Sequence, residues 1–364
     1  MDIGIPRERL PGEQRVGLTP ANVGLLVKDG HKCFVESGAG VGAGFNDYDY
    51  ERMGATLIDS GEELYARGAL ILKVLHPTLE EIKWMPNGQT LMCFLGLPQL
   101  PEEDVSELQA RRITALAYEM IRKDKHDYPI LKTVSEVAGR MAPYIAGNLL
   151  MRQNGGRGVL LNGVPGVSAG DVVILGSGTV GQNAARAFLG LGAKVFILSR
   201  SLERLRLLDT QFCGAVTTMI DQHFNVAYVT RFADVVIGAV RNPGKRAPVI
   251  ITREMLRMMR KGSVIIDFAI DHGGCAETSR PTTFDDPTYI EEDVVHYCVP
   301  NVPGAVPRTS THAFNNAAGS YVRHVAAMGV ASAIAQNEAL RRGVVIRNGE
   351  IVDDESAPVA YGMS

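Results

Sequence analysis

Gly176, Gly178 and Gly181 stand in the spacing G-x-G-x-x-G, between an apolar run at 172–175 and a helical pattern that leads to a second apolar run at 194–198. The first glycine permits a tight turn. The second lets backbone N–H groups approach a pyrophosphate at a helix N-terminus, and the third lets helix and strand pack closely. Ser177, Thr179 and Val180 belong to the same turn and join the expected cofactor contacts. An earlier glycine-rich stretch, Gly38, Gly40, Gly42 and Gly44, precedes no long amphipathic helix and reads as an ordinary turn. The end of the second strand decides which dinucleotide is expected. NAD sites place a carboxylate there for the ribose 2′-hydroxyl. This chain has Ser199 and Arg200, with Ser201 and Arg204 beyond. A carboxylate repels a 2′-phosphate, whereas hydroxyls and guanidinium forks bind it, so NADP(H) is the preferred cofactor and NAD(H) the alternative. On residue type alone, Arg200 and Arg204 also fit solvated charges at a helix start.

The elements that must hold this turn are legible as an alternation. Strand candidates lie at 2–5, 31–36, 69–74, 90–95 and 113–117, with helical segments at about 20–29, 47–54 and 102–111 between them. Thr19-Pro20 is a cap followed by proline in the first turn, a good helix start. A helical stretch from Ser135 to the break at Gly155-Gly156 reads as a connector. Strands near 172–175, 194–198, 234–238, 263–267 and 294–298 follow, then a helix at about 312–336 that should return to the first lobe. Asn348-Gly349 marks a small hairpin. The expected fold class is α/β: two doubly wound, Rossmann-like lobes with an interlobe active-site cleft. Residues 1–130 and 307–364 would form a discontinuous substrate and catalytic domain, and 131–306 the dinucleotide-binding domain.

Bulk properties exclude several classes. A net charge of −3 and a pI near 6.3 give no electrostatic case for nucleic acid or an acidic membrane surface. No apolar stretch reaches the length of a membrane span, and the chain begins with a strand-like 3–6, so a cytoplasmic protein is expected. Cys33, Cys93, Cys213, Cys275 and Cys298 are odd in number and widely spaced. They suggest reduced thiols, with neither a disulfide framework nor a metal site.

Several longer motifs go beyond the glycine turn: Gly4-Ile-Pro-Arg-Glu8, Gln14-Arg-Val16, Leu72-Lys-Val74, Ser135-Glu-Val-Ala-Gly-Arg140 and Gly155-Gly-Arg-Gly-Val159. Gly163-Val-Pro-Gly-Val167, Ala269-Ile-Asp-His-Gly-Gly-Cys275, Ser279-Arg-Pro-Thr-Thr283, Tyr297-Cys-Val-Pro-Asn301 and Pro307-Arg-Thr-Ser-Thr311 follow in order. With them the chain resembles the alanine dehydrogenases, whose fold is shared with the nucleotide-binding subunit of proton-translocating transhydrogenases. The segments 135–167 and 269–311 resemble the dehydrogenases more. The resemblance implies reversible oxidative deamination of an amino acid to a 2-oxo acid and ammonium, a small-molecule substrate, and a homo-oligomer, a hexamer. It also implies that Arg15 and Lys73 hold the substrate carboxylate and the oxo or amino group. Asp271 would manage proton traffic and lie by the cofactor, and Ser135, Val240, Val299 and Asn301 would lie near the nicotinamide half. Those roles suit the residue types: a bidentate cation for a carboxylate, an ammonium near a carbonyl, and an acid–base group at the reacting carbon. By type alone, Lys73 also fits a snorkelling strand residue, Arg15 a surface ion pair and Asp271 a loop cap.

One departure matters. The family pattern has a catalytic histidine after the strand 91–95, and this chain has Gly96. His272 or His76 could substitute as proton carrier. Alternatively Gly96 opens substrate space, and the enzyme is an NADPH-dependent reductase of a bulkier imine or 2-oxo acid; Thr133 and Val134 would suit such a reshaped pocket. A third reading, of another class, is a non-catalytic NADP(H)-binding sensor or scaffold.

Overall fold

The computed structural model describes residues 1–124, 127–241 and 246–352. The chain divides into two compact units, Met1–Val134 with Gly304–Ser364, and Ser135–Pro303. The first unit opens with β1 (Asp2–Ile5), β2 (Lys32–Glu36), β3 (Thr56–Ile58), β4 (Leu70–Leu75), β5 (Thr90–Phe94) and β6 (Thr114–Ala117). The second unit holds β7 (Asp171–Leu175), β8 (Lys194–Ser199), β9 (Thr217–Ile220), β10 (Val235–Gly238), β11 (Val264–Asp267), β12 (Thr288–Glu291) and β13 (Val294–Tyr297). The chain then returns to the first unit with β14 (Val344–Arg347) and β15 (Glu350–Ile351).

The sheet of the first unit has the order β3-β2-β1-β4-β5-β6-β14-β15, parallel from β3 through β6. β14 and β15 add an antiparallel edge. The second sheet runs β9-β8-β7-β10-β11-β13-β12, with β12 antiparallel. Both are doubly wound, with strand order reversing between β1 and β4 and between β7 and β10. Their central strands are near-continuous apolar runs because helices cover both faces. In β7, β10 and β11, Val172, Ile174, Val235, Ile237, Val264 and Ile266 enter one core. The alternate residues Val173, Leu175, Val236 and Ile265 enter another. The first sheet divides likewise: Leu70, Leu72, Val74 and Met92 face one layer, Ile71, Leu91 and Cys93 the other.

The strands missed by sequence patterning are β3, β9 and β12, and all three are sheet edges. An edge strand of three or four residues packs on one side and shows little apolar periodicity. The helix expected from Ser135 begins earlier, at Pro129, and runs to Leu149 with Pro143 inside it. The helix expected at 312–336 starts at Pro307 and is broken at Gly329, whose φ of 74° ends it at Met328. A second helix, Val330–Gln336, follows. The early start was hidden because Ser310 and Thr311, though polar, are buried. Phe314, Ala318, Val322 and Val325 of the longer helix complete the core of the first unit. No helix among the described residues is long and apolar enough to cross a membrane.

Candidate active site

In the second unit the chain leaves β7 through Gly176, with φ of 111°. A methyl group there would overlap the Ala239 carbonyl beyond β10, and one on Gly181 would overlap the carbonyl of Gly176 itself. Gly178 is different: an added Cβ meets nothing within 4 Å. No protein packing explains its missing side chain, and the open space lies at the N-terminus of the helix Thr179–Gly190, which begins with Thr179 and Val180. That is the cradle a pyrophosphate requires, so these residues fit a dinucleotide. The helix Pro129–Leu149 presses on the same region, since a side chain at Gly139 would strike the Val180 carbonyl. Ser135 lies one turn earlier on that helix, half-buried.

The end of β8 is organised by serines. The Ser177 and Ser199 hydroxyls hydrogen-bond at 2.7 Å, and the Ser201 N–H donates to the Ser199 oxygen at 3.3 Å. Ser201 is itself the N-cap of the helix Leu202–Gln211, accepting from the Arg204 N–H at 3.2 Å. Ser199 is buried, whereas Arg200 and Arg204 are exposed. Asp221, following β9, was not anticipated. Its N–H donates to the Ser199 carbonyl at 3.0 Å. Burial raises its carboxyl pKa, and Arg200 partly counteracts this.

The ends of β10, β11 and β13 bring Val240, Asp271, Val299 and Asn301 to the same edge of the sheet. Buried Asp267, the last residue of β11, shapes the loop that carries Asp271. Its carboxylate accepts from the N–H groups of Ala269 at 2.9 Å and Cys275 at 2.7 Å, and from the Ser279 hydroxyl at 2.6 Å. The backbone N–H of Asn301, a residue with φ of 53°, donates to the Asp271 carboxylate. Asp271 keeps an exposed surface, yet the protein packed around it raises its carboxyl to about 6, with Asp267 adding repulsion. His272 moves the other way: desolvation, with Arg241 nearby, lowers it to about 4, which keeps the imidazole neutral at neutral pH.

In the first unit, Glu13 holds Arg15 in a two-point pair, Nε to Oε1 at 2.8 Å and Nη2 to Oε2 at 2.6 Å. Arg15 is 2% exposed. Gly17 lets this segment lie on β4, because any side chain there would strike the Leu72 carbonyl. Lys73 is 0% exposed, with Nζ 2.9 Å from Glu81 and 3.1 Å from Glu8. Glu8 also accepts from the Val74 N–H at 2.6 Å, and Glu81 from the Tyr65 hydroxyl at 2.9 Å. Arg9 continues the chain of charges, 3.4 Å from Glu81 and 2.6 Å from Glu36. Both neighbouring carboxylates raise the Lys73 pKa against its desolvation, so the ammonium stays charged. Gly96 has φ of 57°, and its N–H donates to Glu119 at 2.7 Å. A Cβ there would have just the Gln99 Oε1 near it, at 3.1 Å. His76 contacts the Pro77 carbonyl at 3.1 Å. Among the described residues no cluster suited to a metal ion occurs.

Known proteins resemble this chain throughout. The family model described as alanine dehydrogenase/PNT, N-terminal domain, matches residues 4–138, and that of the C-terminal domain matches 142–354. An alanine dehydrogenase of Mycobacterium tuberculosis (strain CDC 1551 / Oshkosh) is 40% identical over 98% of this chain and 96% of its own length. One from Bacillus subtilis (strain 168) is 44% identical over 96% and 92%. A solved L-alanine dehydrogenase superposes with a TM-score of 0.94 at 42% identity, covering 98% of each chain. A transhydrogenase from Sinorhizobium meliloti shares the fold, with a TM-score of 0.81 at 23% identity over 97% of this chain and 99% of its own.

The buried ion pairs generate a stability prediction. Lys73→Met removes the cation between two buried carboxylates and should lower unfolding free energy by about 3–5 kcal/mol in urea titrations. A loss below about 1 kcal/mol would mean that the network does not support the fold.

Proposed function

The chain belongs to the alanine dehydrogenase/PNT family, and on that premise we propose that it catalyses reversible reductive amination of a small 2-oxo acid, of which pyruvate is the first candidate. It is an oxidoreductase acting on a CH–NH2 centre with a nicotinamide dinucleotide. The observation that carries the reading furthest is Asp271, a carboxyl raised to about 6 on a loop fixed by Asp267. A group with that pKa exchanges protons readily near neutral pH.

In this reading Arg15, already oriented by Glu13, takes the substrate carboxylate. Asp271 takes two protons in turn from the attacking ammonia nitrogen and passes each to the former oxo oxygen, first forming the carbinolamine hydroxyl and then releasing it as water to leave a C=N bond. The nicotinamide, when bound, supplies or accepts the hydride. Gly176, Ser177, Gly178, Thr179, Val180 and Gly181 would hold the pyrophosphate, with Ser135, Val240, Val299 and Asn301 by the nicotinamide half. Lys73 is proposed to face the substrate's oxo or amino group, as the resemblance implies, with the same burial and carboxylate partnering that mark Arg15. Its ammonium is held by Glu8 and Glu81. His272, neutral and half-buried, serves as a neighbour of Asp271 and not as the missing histidine's replacement.

NADP(H) is the proposed cofactor. Ser199 stands where a carboxylate would repel the 2′-phosphate, and Arg200 and Arg204 are exposed beside it. Asp221 near Arg200 works against this preference, which makes the arginine the decisive group. A homo-oligomer, a hexamer by family likeness, is also proposed. A second substrate reading has its own observation: the backbone at Gly96 carries no side chain and little stands near it. That favours a larger 2-oxo acid or imine.

Absorbance assays with NADPH or NADH, ammonium and a panel of 2-oxo acids and cyclic imines test the whole reading. Pyruvate turnover supports it, turnover of larger substrates alone transfers it to the Gly96 alternative, and cofactor binding without turnover on any of them sinks it. Arg200→Asp should reverse or erase the NADPH preference; an unchanged ratio of efficiencies removes the 2′-phosphate role. In the deamination direction Asp271 must be ionised, so kcat/KM should climb with pH and level off above about 6. Asp271→Asn should cut the rate by about 10²–10⁴ and abolish that acid limb. Persistence of the limb in the variant would place the base elsewhere.

A further inference from the structure

The sheet of the first unit has a second chemically distinctive place, at the end opposite Gly96. A cavity of about 450 Å³ is lined there by Thr90, Thr114, Ile334, Arg341, Arg347 and Asn348, among others. That volume suits a small organic molecule. One wall is apolar, the face of the helix Val330–Gln336 that presents Val330, Ala331, Ile334 and Ala335. The other is polar, made by Thr90 and Thr114, which begin β5 and β6, and by Asn348, which exchanges hydrogen bonds with Thr114. Two guanidinium groups complete it. Arg341 is held loosely, 3.4 Å from Glu338, a carboxylate that Arg342 also engages. Arg347 lies opposite Glu350 across the β14–β15 pair, but no ion pair closes between them. Two exposed cations beside an apolar wall match an anion with a short hydrocarbon body.

The geometry points to a second ligand site, taking a small aliphatic carboxylate. The alternative occupant is the chain's own acidic stretch Asp353-Asp354-Glu355, which follows Val352 in sequence. β15 runs back along β14, and the Val352 N–H donates to the Val345 carbonyl at 3.0 Å. The chain is therefore heading away from Arg347 when it reaches that stretch, which favours a ligand from solution.

The site also lies at one end of strands that lead toward the Gly96 loop. β5 and β6 start at the cavity and end at Gly96 and Glu119, and the Glu119 carboxylate accepts the N–H groups of Leu95 at 3.3 Å and Gly96 at 2.7 Å.

The test uses the full-length protein and 3-methylbutanoate, which has neither oxo nor amino group to react, with titration calorimetry and amide hydrogen exchange. Binding should protect 88–90, 114 and 330–348. Arg347→Glu and Ala335→Trp should each weaken it by about tenfold or more, while dinucleotide binding shows that both variants remain folded. Removal of residues 353–364 should leave affinity unchanged or nearly so; a large gain would identify the tail as the occupant and overturn the proposal. Binding that survives both substitutions, or protection confined to other residues, also overturns it. Inorganic phosphate binding as tightly as the carboxylate, with Ala335→Trp without effect, would reduce the site to a bare anion site and overturn the carboxylate assignment. None of these outcomes depends on turnover.

Discussion

A chain of charges, buried except for the half-buried Arg9, organises the first unit: Glu36, Arg9, Glu81, Lys73 and Glu8 in sequence of contact. Glu8 follows β1 and Lys73 lies in β4, the two strands between which the sheet reverses its order. In doubly wound sheets the crevice at that point is where ligands enter. Here the two strands are joined by buried ion pairs of the protein's own. The arrangement demands completeness, because a buried charge is tolerable only when every partner is present. Tyr65, Arg9 and the backbone N–H groups of Val74 and Thr78 supply the remaining hydrogen bonds to the carboxylates. Arg15 gains from the same rigidity, since Gly17 packs its segment against the Leu72 carbonyl of β4, next to Lys73.

The second unit has the same strand order and the opposite solution. Its reversal between β7 and β10 is lined by Gly176 and Ala239, backbone against backbone, with Gly178 left open. One topology thus carries a buried ion-pair network in one unit and a turn of absent side chains in the other. The difference lies in side chains, not fold. This is why the glycine turn announces its purpose in sequence and the ion network does not.

Legibility followed the same logic. Central strands were readable because burial on both faces makes them uninterrupted apolar runs, as in Val172-Val-Ile-Leu175. Edge strands β3, β9 and β12 were not, since half of each faces solvent. Asp271 stands out as a candidate through its motif, but Asp267, which shapes the loop, looks like any strand-end carboxylate until three donors converge on it. The surroundings of Lys73 were hidden for a related reason: nothing nearby in sequence reveals that Glu8 and Glu81, distant by 65 and 8 positions, enclose it. Asp221 gave no signal because its relation to Arg200 arises from strand pairing between β8 and β9.

The neutral hydrogen bond between Ser177 and Ser199 has a consequence for how cofactor choice responds to its surroundings. A buried carboxylate at the end of β8 would discriminate at short range, shielded from the medium. Ser199 contributes no charge, so under the proposed NADP(H) preference the selecting charges are the solvent-exposed Arg200 and Arg204, opposed by Asp221. Mobile ions weaken attraction between exposed charges over a length of roughly 10 Å at 0.1 M ionic strength. Selectivity built this way is a property of the protein together with its salt: sharp in dilute buffer, blunted in concentrated electrolyte, and retuned by composition of the medium without any change in the fold.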